Sequence, residues 1–117
     1  RRGWFAVHRV PTPVVVVGNL TVGGAGKTPL TVWLAQALQA RGVRVGIVSR
    51  GHGGTATGPE RVTRESDPRA VGDEPVLLAA RTGAPVVVAR DRVAGARLLS
   101  PEVDVLLADD GLQHYRL

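Results

Sequence analysis

Apolar and polar positions along the chain fall into two alternating patterns. The first is short, nearly unbroken apolar runs: "VVVV" at Val14–Val17, Val43–Val48, "APVVVA" at 84–89 and "DVLLADD" at 104–110. Runs of β-branched residues without polar alternation predict strands buried on both faces of a parallel sheet. The second pattern is helical spacing. Leu30, Leu34 and Leu38, with Trp33 and Ala37, form an apolar stripe that Thr28 and Pro29 open and Gly42 closes. "VGDEPVLLAARTG" predicts a short helix with Asp73 placed to cap it, Pro75 in its first turn and Gly83 at its end. Asp91–Leu99 predicts another, halted by Ser100-Pro101. Gly51–Gly58 is a glycine-rich loop, and a weak extended stretch lies near Arg61–Arg64.

Strands alternating with helices through short connections predict an α/β fold with a doubly wound parallel sheet. In such sheets ligands bind beyond the carboxyl ends of the strands. "GGAGKT", "SRG", "ARDR" and "DDGLQH" each follow directly on a predicted strand. The polar chemistry therefore gathers at one edge.

Composition narrows the picture. A chain of 117 residues, 44% hydrophobic, buries one modest core and is expected to form a single domain. With no cysteine there is no disulfide framework and no thiolate metal site. The apolar runs are too short to span a bilayer, and "RRGWFAVHRV", which pairs arginines with Trp4 and Phe5 as membrane-surface segments do, reads from sequence alone rather as a frayed terminus. The chain has no Met, even at position 1, which predicts that it begins inside a longer translation product. A net charge of +5 suits an anionic partner. With four aromatic residues and scattered arginines there is no stacking platform, so no nucleic-acid partner is expected.

The candidate chemistry begins at "VVVVGNLTVGGAGKTP". It ends like the phosphate-binding pattern G-x-x-x-x-G-K-[ST], but Thr21 stands where the first Gly belongs. The candidate nucleotide-binding loop comprises Thr21, Val22, Gly23, Gly24, Ala25, Gly26, Lys27 and Thr28. Its glycines let consecutive backbone N–H groups turn toward an anion at a helix N-terminus. Lys27 would reach the β- and γ-phosphates of ATP, and the Thr28 hydroxyl would take a Mg²⁺ coordination site. Of 15 basic residues, only Lys27 is a lysine, as a site needing a compact ammonium would require. A dinucleotide site is excluded: the third small residue of G-x-G-x-x-G would be Pro29, and the second strand ends in Ser49-Arg50 rather than an acid.

Asp109 and Asp110 end an apolar strand, the arrangement that delivers a carboxylate to Mg²⁺ beside the phosphates. Solvated turn residues are the alternative. Asp73 is open between helix cap and general base for an attacking hydroxyl. Arg50, Arg90 and Arg92 at strand ends would neutralise phosphate charge or simply be solvated.

Taken in order, "GNLTVGGAGKTP", "SRGHGG", "VGDEP", "ARDR" and "DDGLQH" resemble the tetraacyldisaccharide 4'-kinase family of lipid A biosynthesis in Gram-negative bacteria, from Arg1 to Leu117. The family's loop itself begins with Thr. The resemblance implies a P-loop NTPase-like fold and transfer of the ATP γ-phosphate to the 4'-hydroxyl of a tetraacylated disaccharide 1-phosphate. It further implies a monotopic protein on the cytoplasmic face of the inner membrane, in which residues 1–117 are an incomplete P-loop kinase domain. The membrane helix and second domain would lie outside it. By motif, Lys27 and Asp73 become the catalytic residues, Thr28, Asp109 and Asp110 the Mg²⁺ ligands, and Arg50, Arg92 and His114 the substrate-binding residues. This chain has His52 where the family's "SRGY" has Tyr. The competing readings are a P-loop ATPase of the partitioning or metallochaperone type, which places Lys where this chain has Val22, and a truncated module that binds ATP without acting on it.

Overall fold

Four of the five strands in the main sheet run parallel, in the order Val14–Gly18, Val105–Gly111, Val45–Ser49 and Val86–Val88, and Glu60–Val62 pairs antiparallel with the last of these at the far edge. The computed structural model describes residues 12–18, 21–22, 28–50, 54–56 and 58–111. Within them the chain runs β1 (Val14–Gly18), β2 (Thr21–Val22), β3 (Thr28–Pro29), α1 (Leu30–Gln39), β4 (Val45–Ser49) and β5 (Glu60–Val62). It continues through α2 (Pro68–Val71), α3 (Asp73–Thr82), β6 (Val86–Val88), α4 (Arg92–Leu99), a 3-10 turn at Ser100–Glu102 and β7 (Val105–Gly111).

The parallel sheet is covered on two faces, as the apolar runs predict. On one face Val17, Val45, Ile47, Val86, Val88 and Leu107 pack against Val32 and Ala35 of α1 and Leu78 of α3. On the other, Val48, Val87 and Leu106 pack with Leu99 of α4 and Val103. Each fully buried aliphatic side chain contributes about 1.5–3 kcal/mol. Two side-chain amides of α1 hold it to α3: Gln36 Nε2 donates to the Arg81 carbonyl at 2.9 Å and Gln39 Nε2 to that of Thr82 at 3.0 Å. These carbonyls lie in the last turn of α3, where the helix leaves acceptors without an internal donor.

Several expectations change. The Val14–Val17 run is not buried on both faces: Val14, Val15 and Val16 are 44, 43 and 55% exposed, and only Val17 is buried. The reason is position, because among the described residues β1 has β7 alone as a neighbour and forms a sheet edge. Thr28 and Pro29 do not open the helix. They stay extended and α1 starts at Leu30, in keeping with the bias of a residue before proline toward extended backbone. The buried stripe of α1 is also rotated: Thr31, Val32 and Ala35 face inward, Leu30, Leu34 and Leu38 are partly buried, and Trp33 is 51% exposed.

The helix ends read from sequence hold better. Gly42, at φ 83°, terminates the first helix and Gly83, at φ 68°, the third, its N–H donating to the Ala79 carbonyl. Asp91 precedes α4 as its cap, accepting from the N–H groups of Val93 at 3.0 Å and Ala94 at 3.4 Å. Asp73, however, is not a cap. Gly72 holds that position at φ 97°, a backbone conformation that side chains rarely adopt, and Asp73 is the first helical residue.

Candidate active site

Where β1 ends, the chain forms a short antiparallel ladder in which Thr21 pairs with Pro29 and Val22 with Thr28. This fastens the two ends of the glycine-rich loop together immediately before α1. It also gives Thr21 a physical role: the position is extended strand, where a β-branched residue serves and a glycine bend is not needed. Gly23, Gly24, Ala25, Gly26, Lys27 and His114 lie outside the described residues, and for Thr21, Val22, Thr28 and Asp110 only the backbone is described.

β7 lies beside β1, and its Asp109 pairs in register with Val17 on one side and with Ser49 of β4 on the other. Residues paired across parallel strands share a sheet face, here the face that α1 covers. Thr31, in the first turn of α1, donates from Oγ1 to Asp109 Oδ1 at 3.3 Å. Thr31, Ser49 and Asp109 are 1, 5 and 6% exposed, and they are the buried polar or charged side chains among the described residues. Among the described residues the core is otherwise apolar. A carboxylate taken out of water is costly unless paired or coordinated, so this position of Asp109 excludes the solvated-turn alternative.

The topology brings Asp73 to the same edge. α3 ends where β6 begins, so the N-terminus of α3 lies toward the carboxyl ends of the parallel strands. The loop leaving β4 reaches it directly: the N–H groups of Thr55 and Ala56 both donate to the Ala70 carbonyl, at 2.9 and 2.8 Å. Just before them, Gly54 packs so closely that an added Cβ would lie 2.5 Å from the Ala70 oxygen and 2.7 Å from the Gly72 nitrogen. The Asp73 side chain is exposed and makes no hydrogen bond or ion pair among the described residues. Arg50 and Arg90 are exposed just beyond β4 and β6, and Arg92 is half-buried in the first turn of α4.

The donor set suits Mg²⁺. The ion prefers hard oxygen ligands and is commonly held by one or two carboxylates plus substrate phosphates. Among the described residues no three His, Cys, Asp or Glu side chains cluster, as an all-protein metal cage would require. Asp109, buried beside the first turn of α1, would supply one such carboxylate. Sequence reasoning missed Thr31, Ser49, Gly54 and Gly72. A threonine one turn beyond the loop and a serine ending an apolar strand were the available signals.

A glycine-rich loop between a first strand and first helix, with a buried aspartate on the adjacent strand, defines the P-loop NTPase class of α/β folds. The model of the tetraacyldisaccharide-1-P 4'-kinase family matches residues 1–117, and the chain belongs to that family. Among curated relatives, the tetraacyldisaccharide 4'-kinase of Chromobacterium violaceum is 61% identical over 120 residues, covering 100% of this chain and 35% of the relative. That of Alkalilimnicola ehrlichii is 60% identical over 119 residues, covering 100% of this chain and 36% of the relative. Among solved structures, the "apo" form of LpxK from Aquifex aeolicus in complex with ATP superposes with a TM-score of 0.70. It is 36% identical, with 92% of this chain and 36% of that one covered. The chain thus spans about a third of the length of the relatives it matches.

Proposed function

We propose that the protein to which this chain contributes is a lipid kinase. It transfers the γ-phosphate of ATP to the 4'-hydroxyl of a tetraacylated disaccharide 1-phosphate, giving lipid IVA at the cytoplasmic face of the inner membrane. The observation that carries this reading is the family match across 1–117 on a fold that buries Asp109 under the helix following the phosphate loop. Lys27 contacts the β- and γ-phosphates while the loop's backbone N–H groups hold them. Thr28, Asp109 and Asp110 would hold Mg²⁺, which would supply neutralisation of charge on the phosphate oxygens. Asp73 accepts the proton of the 4'-hydroxyl as its oxygen bonds to the γ-phosphorus and the bond to the β,γ-bridging oxygen breaks, releasing ADP. An exposed carboxylate with no side-chain partner among the described residues is free to meet a hydroxyl that arrives from outside. Arg50, Arg92 and His114 bind the acceptor, whose phosphate and sugar hydroxyls suit guanidinium and imidazole donors.

The test uses the full-length protein, γ-labelled ATP and the lipid disaccharide. Label is expected in a product phosphorylated at the 4'-oxygen, and Lys27→Ala is expected to abolish it. Mg·ATP at a hundred times its Kd should stabilise the wild type by about 2.7 kcal/mol, and the variant not at all. ATP consumption without a labelled lipid would exclude the kinase reading, and an equal stabilisation of both proteins would place the nucleotide elsewhere.

A further inference from the structure

Thr31 belongs to no phosphate-binding motif, yet it sits at 1% exposure on the sheet-facing side of α1, where the neighbouring inward positions are Val32 and Ala35. Valine or alanine would fill such a place without a hydroxyl to satisfy. Its Oγ1 instead donates to Asp109 Oδ1 at 3.3 Å. Asp109 is in register with Ser49, and together these three residues make up the buried polar set of the described residues. A hydroxyl bonded to one oxygen limits rotation of the carboxylate about Cβ–Cγ. It also ties β7 to the turn of α1 that directly follows the loop.

We propose that Thr31 is a positioning residue for Asp109, orienting its buried carboxylate toward the Mg²⁺ of bound Mg·ATP. The inference rests on the reading of Asp109 as a Mg²⁺ ligand. Its consequence is specific: loss of the hydroxyl weakens the contribution of Mg²⁺ to ATP binding and leaves metal-free ATP binding alone. A packing residue would affect both equally.

The experiment measures ATP affinity of the full-length protein with Mg²⁺ and with EDTA, for wild type, Thr31→Val, Thr31→Ser and Asp109→Asn. The ratio of the two affinities is internal to each protein, so a change in stability does not mimic the effect. Thr31→Val should lower that ratio about tenfold, the scale of one hydrogen bond to a charged group, and Thr31→Ser should stay within about twofold of wild type. An unchanged ratio in Thr31→Val, beside a collapsed one in Asp109→Asn, would overturn the positioning role and leave the metal site standing. A ratio unchanged even in Asp109→Asn would overturn both. Equal loss in Thr31→Val and Thr31→Ser would make shape, not the hydroxyl, the cause, and overturn the proposal as well.

Discussion

The two edges of the parallel sheet handle charge in opposite ways. At the carboxyl edge, Asp109 is buried in β7 with Thr31 donating to it, and glycine backbone approaches at contact distance around Gly54 and Gly72. At the amino edge, Asp104 and Arg44 form an exposed pair: Arg44 Nη2 donates to Oδ1 at 3.0 Å and the Arg44 N–H to Oδ2 at 2.9 Å. Nearby, the exposed Arg61 guanidinium pairs with Glu102 in the 3-10 turn. Surface pairs cost little to form and contribute little, whereas a buried carboxylate carries a desolvation cost that the fold must offset. That cost is tolerated at one place in the described core, beside the first turn of α1. The amino edge joins elements; the carboxyl edge carries the chemistry proposed above.

The largest effect that would sharpen this contrast comes from Asp73. With Gly72 as the helix cap, an asparagine at position 73 removes no capping hydrogen bond. Only a favourable charge at the helix N-terminus is lost, about 1 kcal/mol at most. As a general base, by contrast, the carboxylate has no substitute in an amide. In the full-length protein Asp73→Asn is expected to keep its melting temperature and ATP affinity while kcat falls about 10²-fold or more. Near-normal turnover would remove Asp73 from the chemistry, and with it one of the carboxylates proposed to act at the carboxyl edge.

A smaller effect, on stability, is expected at Gly54. Its missing Cβ would lie 2.5 to 2.7 Å from three backbone atoms of the α2–α3 junction, which cannot swing aside as a side-chain tip can. Gly54→Ala should cost about 1–3 kcal/mol in chemical denaturation. Because the displaced backbone leads directly into Asp73, kcat should fall as well, at temperatures where the protein remains folded. A stable variant with unaltered kcat would show that the loop after β4 does not set the start of α3.

Much of this edge was legible in sequence because its signals are local. Apolar runs gave the parallel strands, and Gly42 and Gly83 gave two helix ends, since positive φ is a property of one residue. The strand endings placed Arg50, Arg90 and Asp109 on a common edge. What escaped depends on contacts distant in the chain. The stripe of α1 was misread because Thr31 counts as polar until a carboxylate 78 residues away is brought under it. Val14–Val16 read as central because nothing in four valines says whether a strand has one neighbour or two. Asp is common at helix caps, so the sequence alone leaves Asp73 open as one, and Gly72 competes only once Gly54 is seen to crowd it. The helix α2 was unforeseen, although Asp67-Pro68 supplies its start: the Asp67 side chain accepts from the Arg69 N–H at 2.9 Å.

The smallest effect concerns the amino edge. The Asp104 carboxyl is held below the usual carboxylate range, chiefly by the hydrogen bond from the Arg44 side chain, then by the Arg44 N–H. The Arg44 guanidinium is shifted upward by the same partner and stays charged throughout the accessible range. A depressed carboxyl pKa adds stability that is fully present above the unfolded-state value, about 3.9, and is lost as pH falls through the lower folded-state value. The difference in urea midpoint between wild type and Asp104→Asn should therefore be small at neutral pH and vanish in acid. Added salt should shrink it at neutral pH, because both partners are exposed and screening reaches them. Asparagine keeps an oxygen for the Arg44 N–H, so the comparison isolates the charge. Activity should be unchanged at every pH where the protein is folded. A midpoint difference that grows in acid would reverse the sign of the pair's contribution. Loss of kinase activity in Asp104→Asn would show that the amino edge is not confined to joining elements, and the division between the two edges would fail.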